Sequence, residues 1–228
     1  MPVLLIALLV LALAAGILWA RNRRLQRDAF IRNAPFPTGL MERLAKRRPE
    51  LSPKDRALVA RALRQFFLAY LHSGFRFVSM PSQVVDDLWH EMILYTRLYD
   101  NFCQQAFGRF MHHTPAVVLS PDKRGNEGLR RAWWFACKEE NINPRQPNRL
   151  PLLFAIDAKL TIADGFVYSL DCKALRDRGI DTVHCAGDFG DSSIDGGTDG
   201  FGDSSDGGSG SDGGDGGSGC GGGCGGGD

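Results

Sequence analysis

Asp86 and His90 stand four residues apart in the run Val84-Val85-Asp86-Asp87-Leu88-Trp89-His90, and the pair His112-His113 follows further along. On a helix, side chains at i and i+4 share one face. A carboxylate and imidazoles are good ligands for zinc or ferrous iron, and a set of two His and one carboxylate leaves coordination positions open for substrate. If the segment carrying His112 and His113 turns back on the helix, Asp86, His90, His112 and His113 become a candidate metal set. The same residues have a structural reading. An Asp–His pair often fixes a part-buried imidazole, and neighbouring loop His residues often cap a helix or pack on aromatics. Other chemistries find no support. His90-Glu91 is followed at the position a zinc protease needs by Leu94, not His, which excludes that motif. There is no Gly-rich phosphate loop and no Gly-x-Ser-x-Gly elbow. Cys103 lies on the apolar stripe of the same helix and reads as core.

The elements that must hold these residues are helical. Ser52-Pro53 is an N-cap followed by a first-turn proline, and it opens a helix through Leu71, with Gly74 just past its end. After Pro81-Ser82, Val85, Leu88, Trp89, Met92, Tyr99, Phe102, Cys103 and Ala106 recur at helical spacing, which predicts one helix running to Gly108 and largely enclosed, with Leu94 and Leu98 adding apolar surface. A third helix is predicted from near Gly128 to Glu140, ended by Asn143-Pro144, and a short helix or strand over Leu150 to Leu160. Phe166-Val167-Tyr168 reads as a brief strand. The expected fold class is mainly α: a transmembrane helix (1–20), a basic juxtamembrane segment (21–39), one helical domain (40–185) and a disordered acidic Gly-rich tail (186–228).

The two ends carry the localisation reading. Residues 2–20 have no charge and are rich in Leu, Ala, Ile and Val. They span about 28 Å as a helix, close to the hydrocarbon thickness of a bilayer. Trp19 sits where an interfacial anchor belongs, and Arg21, Arg23, Arg24 and Arg27 follow at once. By the positive-inside rule the N-terminus faces out and the body faces the cytoplasm, as in a single-pass membrane protein. The competing reading is a signal peptide cleaved after Ala12-Leu13-Ala14. Residues 187–228 hold 20 of the 28 Gly, nine Asp and no Lys or Arg, too little apolar surface for a core. The charge therefore separates, about +10 on the body and −9 on the tail. Arg21 to Arg32 and Lys46-Arg47-Arg48 are expected to meet anionic lipid head groups. No nucleic-acid motif accompanies the basic residues, so nucleic acid is not an expected partner. Cys220 and Cys224, in Cys-Gly-Gly-Gly-Cys near the C-terminus, are tail thiols available to a soft metal, lipidation or disulfide formation.

Residues 85–99, Val-Asp-x-x-Trp-His followed by Tyr99, resemble the hallmark of the glycine-rich-domain-containing-protein-like family. Asp86, Trp89, His90 and Tyr99 match its pattern, while Met92 stands where the family has a second His. Phe102-Cys103, Phe107-Gly108 and His112-His113-x-Pro115 resemble its bacterial, membrane-anchored branch, as does the Gly- and Cys-rich tail. The resemblance implies a helical fold over about residues 40–170 and gives little mechanism. Two functions follow from the sequence. The favoured one is a non-enzymatic interaction module that docks an unknown protein partner or the membrane surface. The alternative is a zinc- or iron-dependent enzyme using Asp86, His90 and His112 or His113.

Overall fold

A computed structural model describes residues 2–113, 123–171, 184–186 and 189. The chain is mainly α. In order it forms α1 (Pro2–Asn33), α2 (Leu40–Arg47), α3 (Pro53–His72), α4 (Gln83–Ile93), α5 (Thr96–Ala106), α6 (Lys123–Glu139) and α7 (Leu152–Lys159). Among the described residues the only strands are β1 (Tyr168–Ser169) and β2 (His184–Cys185), which pair in parallel. The expected acidic tail, with Cys220 and Cys224, lies outside the described residues apart from Ala186 and Phe189.

α3 is the central element and packs against α1, α4, α6 and α7. Its start is fixed by a reciprocal cap. The Ser52 hydroxyl accepts from the Asp55 N–H at 3.2 Å, and Asp55 accepts from the Ser52 N–H at 3.0 Å. Leu63, Phe66 and Phe67 on α3 are fully buried, and both Phe rings meet the Trp89 ring, at 5.1 and 6.1 Å. A second aromatic group joins Trp133 of α6, Phe154 of α7, Tyr168 and Phe189. Leu150–Leu160, predicted as helix or strand, is helical as α7, and the brief strand falls on Tyr168–Ser169.

Three boundaries differ from the sequence expectation. First, the helix predicted through Gly108 breaks at Leu94-Tyr95 into α4 and α5. No Gly or Pro marks the break. Its physical reason is a contact: Trp89 Nε1 donates to Tyr99 Oη at 3.1 Å. In an unbroken helix residues ten apart are about 15 Å apart along the axis, and the two could not touch. The bend also turns Leu94 and Leu98 outward, 62 % and 52 % exposed, so neither encloses the helix. Second, the expected basic segment 21–39 is helical as far as Asn33 and continuous with the apolar stretch. α1 continues from the apolar stretch to Asn33, and Ile31 and Ala34 are already core residues. Phe30 packs on Phe102, and Arg64 donates to the carbonyls of Ile31 and Ala34 at 2.6 and 2.7 Å, satisfying acceptors at the helix C-terminus. Third, Ala186 and Phe189 are buried, so packing continues past residue 185.

The helix Val3–Asn33 is long and apolar enough to cross a membrane, and its most apolar window is not buried at all against the body. Several of the arginines expected at the lipid surface also make ion pairs within the domain. Arg32 bonds Asp28 and Glu139, while Arg47 and Arg48 both reach Asp87.

Candidate functional site

The site begins at the N-terminus of α4. Ser82 caps it by accepting from the Val85 N–H at 3.2 Å. Asp157 of α7 completes the cap. Its carboxylate accepts from the Ser82 hydroxyl at 2.7 Å and from the N–H groups of Gln83 and Val84 at 2.7 and 3.2 Å. A buried carboxylate on the positive end of a helix is well placed electrostatically. This clamp orients the first turn of α4 and with it Asp86, which is 4 % exposed. Nothing in the sequence pattern marked Asp157 for this role.

The second half of the site is the segment after α5. Gly108, at φ +72°, turns the chain, and Met111 is drawn under α5. The tether is a short relay: the indole of Trp89 donates to Tyr99 Oη, and Tyr99 donates to the Met111 carbonyl at 2.6 Å. Burial, with Cys103 close by, pushes the Tyr99 phenol well above its ordinary pKa, so it stays a donor. The Cys103 thiol is also raised by burial and is fully enclosed, which fits a core residue and not a nucleophile. Trp89 and Tyr99, the motif residues between Asp86 and the His pair, thus serve to pin the return segment onto α4.

Alternation along that segment separates the two histidines. His113 turns inward: its Nε2 is 2.9 Å from Asp86 Oδ1 and its ring packs on Trp89 at 4.6 Å. His112 turns outward to Phe110, with ring centroids 4.9 Å apart, and lines a separate cavity of ≈ 250 Å³ with Phe75, Phe77 and Phe110. His112 is therefore not brought to Asp86, and the candidate set of four reduces to Asp86, His90 and His113. His90 Nδ1 lies 3.4 Å from Asp86 Oδ2 and 3.1 Å from the Asp86 carbonyl oxygen, and its ring centroid is 4.0 Å from that of His113.

This geometry fits a metal ion. The three donor atoms all lie within 4.8 Å of one another. Metal–ligand bonds of about 2.1 Å place neighbouring ligand atoms about 3.0–3.4 Å apart. His113 Nε2 lies 2.9 Å from Asp86 Oδ1 and His90 Nδ1 lies 3.4 Å from Asp86 Oδ2, so the two imidazoles approach the two oxygens of one carboxylate at about that spacing. His90, whose side chain is 43 % exposed, is the least enclosed of the three and also contacts the Asp86 carbonyl. His113 and Asp86 are 13 % and 5 % exposed, so one side of the set is walled by protein and the His90 side is open.

No curated protein and no solved structure matches the chain. A family model described as UCP032817-like matches residues 26–189, a stretch that opens within the docked end of α1 and closes on buried Phe189. The matched stretch is most of the chain, and the chain belongs to the UCP032817-like family.

Proposed function

We propose that this protein is a single-pass membrane protein whose cytoplasmic domain holds one zinc or ferrous ion on Asp86, His90 and His113 and uses it as a metal-dependent enzyme. The observation that carries the reading is the convergence of two imidazoles, 4.0 Å apart, on one nearly buried carboxylate. A structural Asp–His pair needs one imidazole. Here two imidazoles converge on one carboxylate, and a divalent ion is held by two such rings together with a carboxylate. A set of two His and one carboxylate leaves positions for water and substrate, and a bound divalent ion supplies Lewis acidity toward either. Asp86 brings the anionic ligand, His113 is held in place by the Trp89–Tyr99–Met111 relay, and His90 is the mobile ligand on the open side.

The orientation in this proposal rests on Arg21, Arg23 and Arg24 directly after the apolar stretch. A bacterial inner membrane accords with that stretch and with the resemblance of Asp86, Trp89, His90 and Tyr99 to the glycine-rich-domain-containing-protein-like pattern. A membrane-impermeant maleimide should leave Cys220 and Cys224 unlabelled in intact cells and label them after permeabilisation. Labelling in intact cells would reverse the orientation.

The metal is tested on the full chain in detergent, purified without a His-rich tag. Elemental analysis should find about one zinc or iron per chain. His90→Ala and His113→Ala should lose the ion with helical content unchanged, and His112→Ala should keep it. Absence of metal from the wild type after loading, or equal loss in H112A and H113A, defeats the proposal. The interaction-module reading would then rest on the aromatic cavity at Phe75, Phe77, Phe110 and His112.

A further inference from the structure

Where α1 emerges from its apolar stretch, it forms a cavity of ≈ 320 Å³ with the end of α3, lined by Trp19, Arg23, Arg24, Arg27, Leu71 and Phe75. The basic side chains here are held in place. Arg23 lies over the Trp19 ring at 5.1 Å, and Arg27 and Arg109 lie over the Phe75 ring at 5.7 and 4.8 Å. Arg24 donates to the His72 carbonyl at 2.8 Å, closing the end of α3. Gly108 allows the close approach, because a Cβ there would collide with the Arg27 guanidinium.

The cluster carries no internal counter-ion. Arg32, Arg43, Arg47, Arg48 and Arg149 each pair with a carboxylate. Among the described residues Arg23, Arg27 and Arg109 have no such partner. The nearest acid on α1, Asp28, is taken by Arg32 and by His72, at 2.5 and 2.7 Å. Arg23 and Arg27 line the cavity and Arg109 stands beside it over Phe75, and with no internal anion these guanidinium groups form a site for an external one.

Position selects the anion. With the apolar stretch ending at residue 20, the helix rise puts Arg23 about 4.5 Å and Arg27 about 10 Å beyond the hydrocarbon edge. The head-group layer is roughly 5–8 Å thick on each side. Arg23 thus lies within that layer and Arg27 just beyond it, with a side chain long enough to reach back, and Trp19 sits at the boundary where amphipathic rings settle. We infer that the cavity lined by Trp19, Arg23, Arg27 and Phe75, with Arg109 over the Phe75 ring beside it, binds the phosphate of an anionic phospholipid head group. The inference rests on the anchor part of the function proposed above and is independent of the metal.

The test uses the full chain in nanodiscs of phosphatidylcholine containing a minority of phosphatidylglycerol, with retained lipid counted by native mass spectrometry. The wild type should keep phosphatidylglycerol selectively, and R23Q/R27Q/R109Q should lose about a hundredfold in that preference. A control triple with the same charge change at exposed positions, K54Q/R61Q/R145Q, should keep it. If the first triple fails to fold, exposed Arg109→Gln alone should lower the preference about fivefold. Equal retention of both lipids by the wild type, equal loss in the two triples, or uptake of inorganic phosphate without lipid preference overturns the site. A chain that stays out of the discs defeats the anchor and this site together. One that enters without preference defeats the site alone.

Discussion

Tyr99→Phe removes one oxygen that serves two hydrogen bonds, from Trp89 Nε1 at 3.1 Å and to the Met111 carbonyl at 2.6 Å. Tyr99, Trp89 and Met111 are 1 %, 2 % and 5 % exposed, so water cannot replace the missing partner. The phenyl ring keeps its volume, and no cavity cost of consequence arises. What remains is two lost bonds and two stranded buried groups, together about 3 kcal/mol. For a domain of this size that is a fall of about 6–12 °C in Tm, read by circular dichroism of the full chain in detergent. The same change should act at the site, because His113 lies two residues beyond Met111. Zinc affinity, measured by competition with a chelator, should fall by about tenfold as the return segment loses its tether. His90→Ala, at an exposed position, should abolish metal binding with little effect on Tm. Y99F with unchanged Tm would show that the relay contributes no stability. Y99F with lowered Tm but unchanged zinc affinity would show that the relay does not position His113.

Further perturbations probe the frame around the site. Asp87→Ala removes a fully buried carboxylate that meets Arg47 at 2.8 Å and Arg48 at 2.6 Å, leaving Arg48 only its pair with exposed Asp164, and urea unfolding should show a loss of about 2 kcal/mol. Burial works to raise the pKa of Glu140, but bonds from the Leu152 N–H, Gln65 and Arg149 outweigh it and leave the carboxyl below its ordinary value. Its contribution is therefore present above the unfolded value of 4.5 and fades as pH falls through the folded one, so Glu140→Gln should flatten the acid limb of a Tm-against-pH curve. Burial pushes the Cys137 thiol up to about 12, and Cys103 is raised as well. Peptide mapping after iodoacetamide at neutral pH should find both unmodified in the native chain and modified after unfolding.

Some of this was legible in the sequence because the signal was local. The Ser52-Pro53 start of α3 and the Gly74 stop are chemical instructions within one turn, and the structure follows them. Asp86 and His90 share a face because i,i+4 spacing dictates it. The break between α4 and α5 was not legible: periodicity persists across it, and the cause is a contact between Trp89 and Tyr99 that exists only after the bend. The choice of His113 over His112 was hidden for a similar reason. It depends on which residue of an irregular segment, Met111, is caught by Tyr99, and the alternation from that point decides which imidazole turns inward. Asp157 was invisible because it acts on α4 from far along the chain.

The anchor and the site meet through α3. Between Gly16 and Asn33, α1 contains no Pro and no further Gly, the residues that most readily kink a helix, and its last turns are tied to the body by Arg24 to the His72 carbonyl, by Asp28 to His72 and by Arg64 to the carbonyls of Ile31 and Ala34. α3 carries Phe66 and Phe67 onto Trp89, and Trp89 forms the floor under His113. A flexible juxtamembrane tether would let the domain tumble at the membrane surface. A helix that runs unbroken from the apolar stretch into the core instead fixes how the domain sits. With the membrane anchoring and metal proposed above, the open His90 side would keep one orientation to the bilayer, and whatever reaches it would approach along a direction set by α1.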